Sequence, residues 1–184
     1  MKSNLYHERE EAQTLMQYQL SQYQTSRLTV SQILDADSFT NDKANTEAIL
    51  AVLTPSVVEH LPSYFHHITT PQQAKDWLQQ LTQESLVFAV YDKQTQLLIG
   101  FVFIYVDEAE QAHIGYLLSE TVWRRGYAFE LLSRLIQHAK EHTSWQALIA
   151  GVTSDNQASA HLLVKLGFVL QAKEQDVMFF KLVC

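Results

Sequence analysis

Two short apolar runs, Ala112 to Leu118 and Ala147 to Val152, bracket a segment in which Leu131, Leu132, Leu135, Ile136 and Ala139 recur at core-facing helical spacing. A strand, an amphipathic helix and a second strand make a βαβ unit, whose strands run parallel and whose crossover is right-handed. That commits the chain to an α/β architecture, with at least part of its sheet parallel.

The join between the first strand and the helix is Trp123-Arg124-Arg125-Gly126-Tyr127-Ala128. No Ser, Thr, Asp or Asn stands between Val122 and Gly126 to cap the helix, so its first backbone N–H groups need another partner. An anion would satisfy them, and the helix dipole favours negative charge there. Gly126 lets the backbone approach a ligand closely, Ala128 keeps the first turn small, and Arg124 and Arg125 add positive charge. The segment reads as a pyrophosphate cradle. Water also solvates an uncapped helix, so these six residues leave both readings open.

Downstream, Thr153-Ser154-Asp155-Asn156 is a helix-start signal. The short helix after it places Ala158, Leu162 and Leu166 on one stripe and ends at Gly167, a fitting C′ residue. Phe168 opens a last pair of strands, with Val177 to Val183 the final one. Upstream, Asp35 to Phe65 is expected to hold one or two helices, broken at Pro55 and Pro62, and carries a cluster of His60, Tyr64, Phe65, His66 and His67. Glu8 to Gln22 is polar and Gln-rich with a thin apolar stripe of Ala12, Leu15, Met16 and Tyr23. We read residues 1–24 as a helical extension docked on a single domain of residues 25–184.

The 184 residues are 47% apolar, enough for a sizeable core, and no run approaches the length of a membrane span. The start, Met1-Lys2-Ser3-Asn4, has no secretory character, and the only cysteine is the last residue, Cys184. A cytoplasmic location without disulfides is expected. A net charge of −7 speaks against a general nucleic-acid binder and suits a protein that accepts a cationic amine, although surface solvation explains the charge equally well. His138 and His142 have i, i+4 spacing but no third ligand nearby, so no metal is expected.

Three stretches in order, Ile114-Gly115-Tyr116-Leu117-Leu118, Trp123 through Glu130, and Asn156-Gln157-Ala158-Ser159 leading to Lys165-Leu166-Gly167-Phe168, resemble the acetyl-CoA-binding half of the GNAT superfamily of N-acetyltransferases. They are most similar to the branch that includes the ribosomal-protein N-terminal acetyltransferases. Upstream, Thr25-Ser26-Arg27-Leu28, Pro71 to Leu81 and Ile99-Gly100 also fit the family's order. The resemblance implies a mixed sheet with a splayed parallel strand pair, into which the pantetheine arm of acetyl-CoA inserts. It implies pantetheine contacts from the backbone of Leu117 and Leu118. It also implies a pyrophosphate site at Arg124, Arg125, Gly126, Tyr127 and Ala128, and a cofactor contact from Asn156. The partner it implies is a primary amine, either a protein N-terminus or a small molecule, and no nucleic acid or membrane. The protein would be a monomer or homodimer.

Acetyl transfer needs a neutral amine, a donor for the oxyanion and, where available, a proton for the departing thiolate. Many members of the family place a tyrosine seven residues after the Asn as the thiolate's acid; here that position is Leu163. The ribosomal-protein branch has a serine three residues after the Asn instead, which is Ser159. A glutamate often precedes the Gly-Tyr pair by two residues; here His113 stands there, on the strand face of Gly115 and Leu117. His113 is therefore the candidate base and Ser159 the candidate acid. Both have structural readings too, as a strand histidine and a small helix residue. Glu120, Asp107, Glu108 and Glu110 are less specific bases. The alternative from another class is a non-catalytic CoA-binding or protein-interaction module, with His113 and Leu163 as marks of lost chemistry.

Overall fold

The computed structural model describes residues 22–184. Within them, β1 (Gln22–Gln24), β2 (Leu28–Ile33), β3 (Leu86–Asp92), β4 (Leu98–Val106), β5 (Gln111–Leu118), β6 (Ala147–Thr153), β7 (Val169–Glu174) and β8 (Val177–Val183) form one sheet in the order β1-β2-β3-β4-β5-β6-β8-β7. Every neighbouring pair is antiparallel except β5 and β6, the pair joined by the long helix α5 (Tyr127–His142). Helices α1 (Ala36–Asn41), α2 (Lys43–Val52), α3 (Pro55–Val58) and α4 (Pro71–Glu84) precede β3, and α6 (Gln157–Lys165) follows β6. None of the described helices is long and apolar enough to cross a membrane.

Strand alternation builds two cores, one on each face of the sheet. Val87, Ala89, Phe101 and Leu117 face α2 and α4, meeting Ile49, Val52, Trp77 and Leu78. Phe88, Val90, Val102, Ile104, Ile114 and Leu118 face the other way, onto Leu131, Leu132 and Leu135 of α5 and Leu163 of α6. Helix α4 starts with Pro71 at its first position under a reciprocal Thr70–Gln73 capping box.

Three local expectations are revised. Gln22 and Tyr23 belong to strand β1, where Tyr23 sits opposite Val30 and is buried; the rest of the proposed N-terminal helix, with Ala12, Leu15 and Met16, lies outside the described residues. The Asp35–Phe65 segment holds three short α-helices and a 3₁₀ turn, Ser63–Phe65. Asp35 and Asp42 each cap one, and Pro55 opens the third beneath the Thr54 cap, so this proline starts a helix where a break was expected. On α6 the buried pair is Ala160 and Leu163, while Leu162 and Leu166 flank the core part-buried and Ala158 is exposed. The helix ends as expected at Gly167, whose φ of +92° closes a Schellman motif: Phe168 N–H bonds the Leu163 carbonyl and Gly167 N–H that of Val164.

The parallel pair is joined by only three residue pairs, Gln111↔Ala147, Ala112↔Leu148 and His113↔Ile149. Beyond them β5 continues from Ile114 to Leu118 beside β4 alone, and β6 continues to Thr153 beside β8 alone. Asp107 N–H bonds the Gln111 carbonyl and Ser119 N–H that of Ile99, so the odd-numbered residues of β5 turn their backbone groups to β4. By alternation Tyr116 and Leu118 turn theirs into the gap. On β6, the bonds from Ser154 N–H to Asp176 and from Cys184 N–H to Gln146 turn the even-numbered residues to β8, leaving Gly151 and Thr153 facing the gap. A Cβ at Gly100 would overlap the Leu117 carbonyl oxygen, so the close β4–β5 approach at the mouth of the gap requires glycine.

Candidate active site

The chain leaves β5 through a 3₁₀ turn, Glu120–Val122, and enters α5 through two left-handed residues, Arg124 at φ +57° and Gly126 at φ +79°. Left-handed residues at alternate positions belong to the backbone pattern that turns successive N–H groups to one side, a nest for anions. Gly126 caps α5 and no side chain bonds the helix's first N–H groups. Residues Trp123 to Gly126 are exposed. Thus Arg124, Arg125, Gly126, Tyr127 and Ala128 lie together at an open helix N-terminus whose donors fit an anion. The Trp123 Nε1–H donates to the Leu118 carbonyl at 2.7 Å and ties this loop to the end of β5.

A network that runs from the surface into the core supports the cradle. Arg27, just before β2, donates from Nη1 to the Arg125 carbonyl at 2.9 Å and from Nε to Glu130 at 2.6 Å, and its guanidinium lies 4.1 Å from the centre of the Tyr127 ring. Glu130 also accepts from the Thr25 hydroxyl and the Arg27 N–H. Burial pushes the Glu130 carboxyl up, but the bonds from Thr25 and Arg27 outweigh it and hold the group below the usual carboxylate range. The Tyr127 hydroxyl donates to Asp92 at 2.7 Å in the core. That bond, with the N–H of Thr95, holds Asp92 below its ordinary value. The Tyr127 side chain is therefore structural, and only its backbone N–H is left for a ligand.

The gap between β5 and β6 opens into a groove of about 990 Å³. His113 and Gly115 line it from the α1–α4 face, Ile114 and Tyr116 from the α5–α6 face, so the groove passes through the sheet. Its charged rim is Glu59, Glu84, Asp155 and Asp176, with no Lys or Arg among the lining residues. His60 Nδ1 lies 3.4 Å from Asp155 Oδ1 and spans the rim. Of the aromatic and histidine cluster, His60, Tyr64 and Phe65 reach the groove; His66 is turned to the Leu61 carbonyl at 2.9 Å, and His67 does not line it. The Thr153 side chain beside the gap is the largest influence that holds the Asp155 carboxyl below its ordinary range.

His113 is about half exposed, with Nε2 2.9 Å from Asp107 Oδ2 and its ring beside Tyr105. Asp107 is itself held by the N–H groups of Ala109 and Gln111. The His113 bond, followed by that of Gln111, keeps its carboxyl below the ordinary range. With Nε2–H given to the carboxylate, Nδ1 carries the lone pair, the tautomer a general base needs. Ser159 stands in the first turn of α6, its N–H bonded to Asn156 Oδ1 at 3.1 Å, and its Oγ accepts from the Tyr116 hydroxyl at 3.1 Å. Burial pushes the Tyr116 phenol up, and the Ser159 bond pulls it partly back.

Several sequence-level assignments shift. Leu117 turns its carbonyl to Gly100, away from the gap, and the Leu118 carbonyl is taken by Trp123; Leu118 N–H and the backbone of Tyr116 are what face β6. Asn156 spends its carbonyl oxygen capping α6. Leu163 is fully buried in the core, so this position does not face the gap at all. Glu120 accepts from Thr54, Glu110 from Ser144 and Gln146, and Glu108 is exposed; of the candidate bases only His113 lines the groove. The reading of the sequence gave no role to Arg27, Asp92 or Tyr116 and did not pair Asp107 with His113. Strand parity was the available signal for Tyr116, since residues alternate to His113 and Gly115 must face α6.

The family model described as the acetyltransferase (GNAT) domain matches residues 27–169. The chain is 27% identical over 163 residues to the uncharacterized N-acetyltransferase YoaA of Bacillus subtilis (strain 168), across 85% of this chain and 87% of the relative. Among solved structures it is similar to RimL, the ribosomal L7/L12 α-N-protein acetyltransferase in complex with coenzyme A, with TM-score 0.71 and 16% identity over 86% of this chain and 95% of that one. It is also similar to the microcin C7 self-immunity acetyltransferase MccE in complex with acetyl-CoA and AMP, with TM-score 0.70 and 15% identity over 86% and 93%. At these identities the two structures speak for the fold.

Proposed function

Because the chain belongs to the GNAT acetyltransferase family, we propose that it is an N-acetyltransferase whose β5–β6 gap takes the pantetheine arm of acetyl-CoA and whose α1–α4 face receives a cationic amine. The observation that carries this is the groove through the sheet, lined by the Asp107-paired His113 on one face and by Tyr116, whose hydroxyl bonds Ser159, on the other. The two relatives solved with coenzyme A or acetyl-CoA support the choice of cosubstrate. The open N-terminus of α5, with Arg124, Arg125 and the N–H groups of Arg125 to Ala128, would hold the pyrophosphate. The bare edges at Tyr116, Leu118, Gly151 and Thr153 would pair with the amides of the arm, and the free amide nitrogen of Asn156 would reach it from α6.

In the reaction the amine nitrogen attacks the acetyl carbonyl carbon, a C–N bond forms and the C–S bond breaks. His113 Nδ1 takes the amine's proton while Asp107 steadies the imidazolium. A backbone N–H on the bare β5 edge bears on the oxyanion. Ser159 gives its hydroxyl proton to the departing sulfur. The products are the acetamide and free CoA. The carboxylates of the rim favour an acceptor with positive charge, whether a peptide N-terminus or a small amine. The domain would take in residues 22–184, because Gln22–Gln24 form a strand of its sheet.

The test is thiol release from acetyl-CoA with a panel of peptides, diamines and amino acids. At least one acceptor should turn over, and His113→Ala should lower the rate at neutral pH by roughly 10²–10⁴-fold with CoA affinity kept. A His113→Ala enzyme of full rate returns this histidine to a structural role, and no turnover across the panel overturns the reading of the acceptor.

A further inference from the structure

We infer that Tyr116 is a positioning residue for the leaving-group step, aiming the Ser159 proton into the gap. This rests on the reading of Ser159 as the thiol-side donor.

Three observations meet at this pair. Tyr116 lies on the splayed part of β5 and lines the groove, and its hydroxyl donates to Ser159 Oγ at 3.1 Å across a sequence separation of 43. The Ser159 N–H is bonded to the Asn156 cap, so the residue is fixed at its backbone as well as its oxygen. The Ser159 hydroxyl proton has no protein acceptor among the described residues.

A serine oxygen has one proton and two lone pairs. With one lone pair taken by Tyr116, the proton cannot point at the ring. Serines in the first turns of a helix otherwise rotate to bond a carbonyl three or four residues back, which here would be Asn156 or Asp155. The Tyr116 bond competes with that rotation and leaves the proton for an acceptor in the gap. Burial keeps the phenol protonated at neutral pH, so it stays a donor throughout. As the C–S bond breaks, sulfur gains the serine proton and Oγ regains one from solvent in the groove. Meanwhile the Tyr116 O–H bears on the negative charge growing on Oγ. Tyr116 itself loses nothing in the cycle.

The experiment is a double-mutant cycle with acetyl-CoA and whichever amine the panel identifies. Tyr116→Phe keeps the ring in place and removes only the hydroxyl. It should lower kcat by about tenfold, the worth of one hydrogen bond, with KM for acetyl-CoA unchanged. On a Ser159→Ala background the same substitution should have no further effect, because the two act as one unit. A Tyr116→Phe enzyme with wild-type kcat, or an equal loss on both backgrounds, overturns the inference. A Ser159→Ala enzyme of full activity would instead sink the reading of Ser159 on which it rests. Melting temperatures within a few degrees of wild type for both variants confirm that the comparison is between folded enzymes, and a collapsed Tyr116→Phe is replaced by Tyr116→Leu, for which the same loss of kcat alone and no further loss on the Ser159→Ala background are expected.

Discussion

At Gly126 the constraint is torsional. Its φ is +79°, and a Cβ there would meet only the Arg27 guanidinium at 3.6 Å, an ordinary contact. A β-branched residue is a genuine outlier in this region, so Gly126→Val should turn the peptide and redirect the first N–H groups of α5. CoA affinity should fall at least about tenfold, the equivalent of one lost charge-assisted hydrogen bond, in a protein that still melts cooperatively. Calorimetry finding unchanged affinity would remove the cradle. Gly126, Arg124, Arg125, His113 and Ser159 could be put forward as candidates from the sequence because their signals are local: an uncapped helix start, a strand face, a spacing from Asn156. Arg27 and Tyr116 were not, because what defines them is a partner far along the chain. Arg27 meets Glu130 across 103 positions, and the Tyr116 hydroxyl finds Ser159 only once β5 and α6 are packed.

Helix α5 depends at its start on two carboxylates, Asp92 on the end of β3 and Glu130 on its own first turn. Both are held below their ordinary range in the folded protein. Groups with depressed folded pKa contribute stability above their unfolded pKa and lose it as pH falls through the folded value. Melting temperature should therefore decline once pH drops below about 4, where unfolded carboxylates begin to bind protons. Asp92→Asn should melt lower than wild type at pH 7, and the difference should shrink in acid; a difference that is constant with pH would assign the effect to packing. Among the elements, β5, α5 and β6 were readable from their periodicity. A three-residue strand such as β1 has no period to read, and its place was taken for the end of a helix. On α6 the buried Ala160 and Leu163 lie beside the apolar stripe that the sequence suggested, and a nine-residue helix is too short for pattern alone to choose between adjacent stripes.

Across the molecule, the groove carries an acidic rim of Glu59, Glu84, Asp155 and Asp176, while the basic start of α5 follows the end of β5 outside the groove lining. The screening length shortens from about 10 Å at 0.1 M salt to about 3 Å at 1 M. KM for a dicationic acceptor should rise over that range with kcat unchanged, while KM for an uncharged amine stays flat; equal slopes would show that the rim does not steer the acceptor. The mixed sheet and its splayed parallel pair were foreseeable from the family resemblance, but the periodicity of Ile114 to Leu118 does not announce that the divergence begins after His113. That divergence also leaves two sheet edges bare inside the molecule, and bare edges pair with whatever extended backbone reaches them. A loosened strand from a second molecule meets the same row of donors and acceptors as the pantetheine amides. Bound in the gap as proposed, the cosubstrate would also guard against cross-molecular strand addition. Heated without CoA, the protein should form β-rich aggregates, and saturating CoA should suppress them even when samples are compared at equal distance from their own melting points. Aggregation that tracks melting alone would show that the gap is shielded by other means.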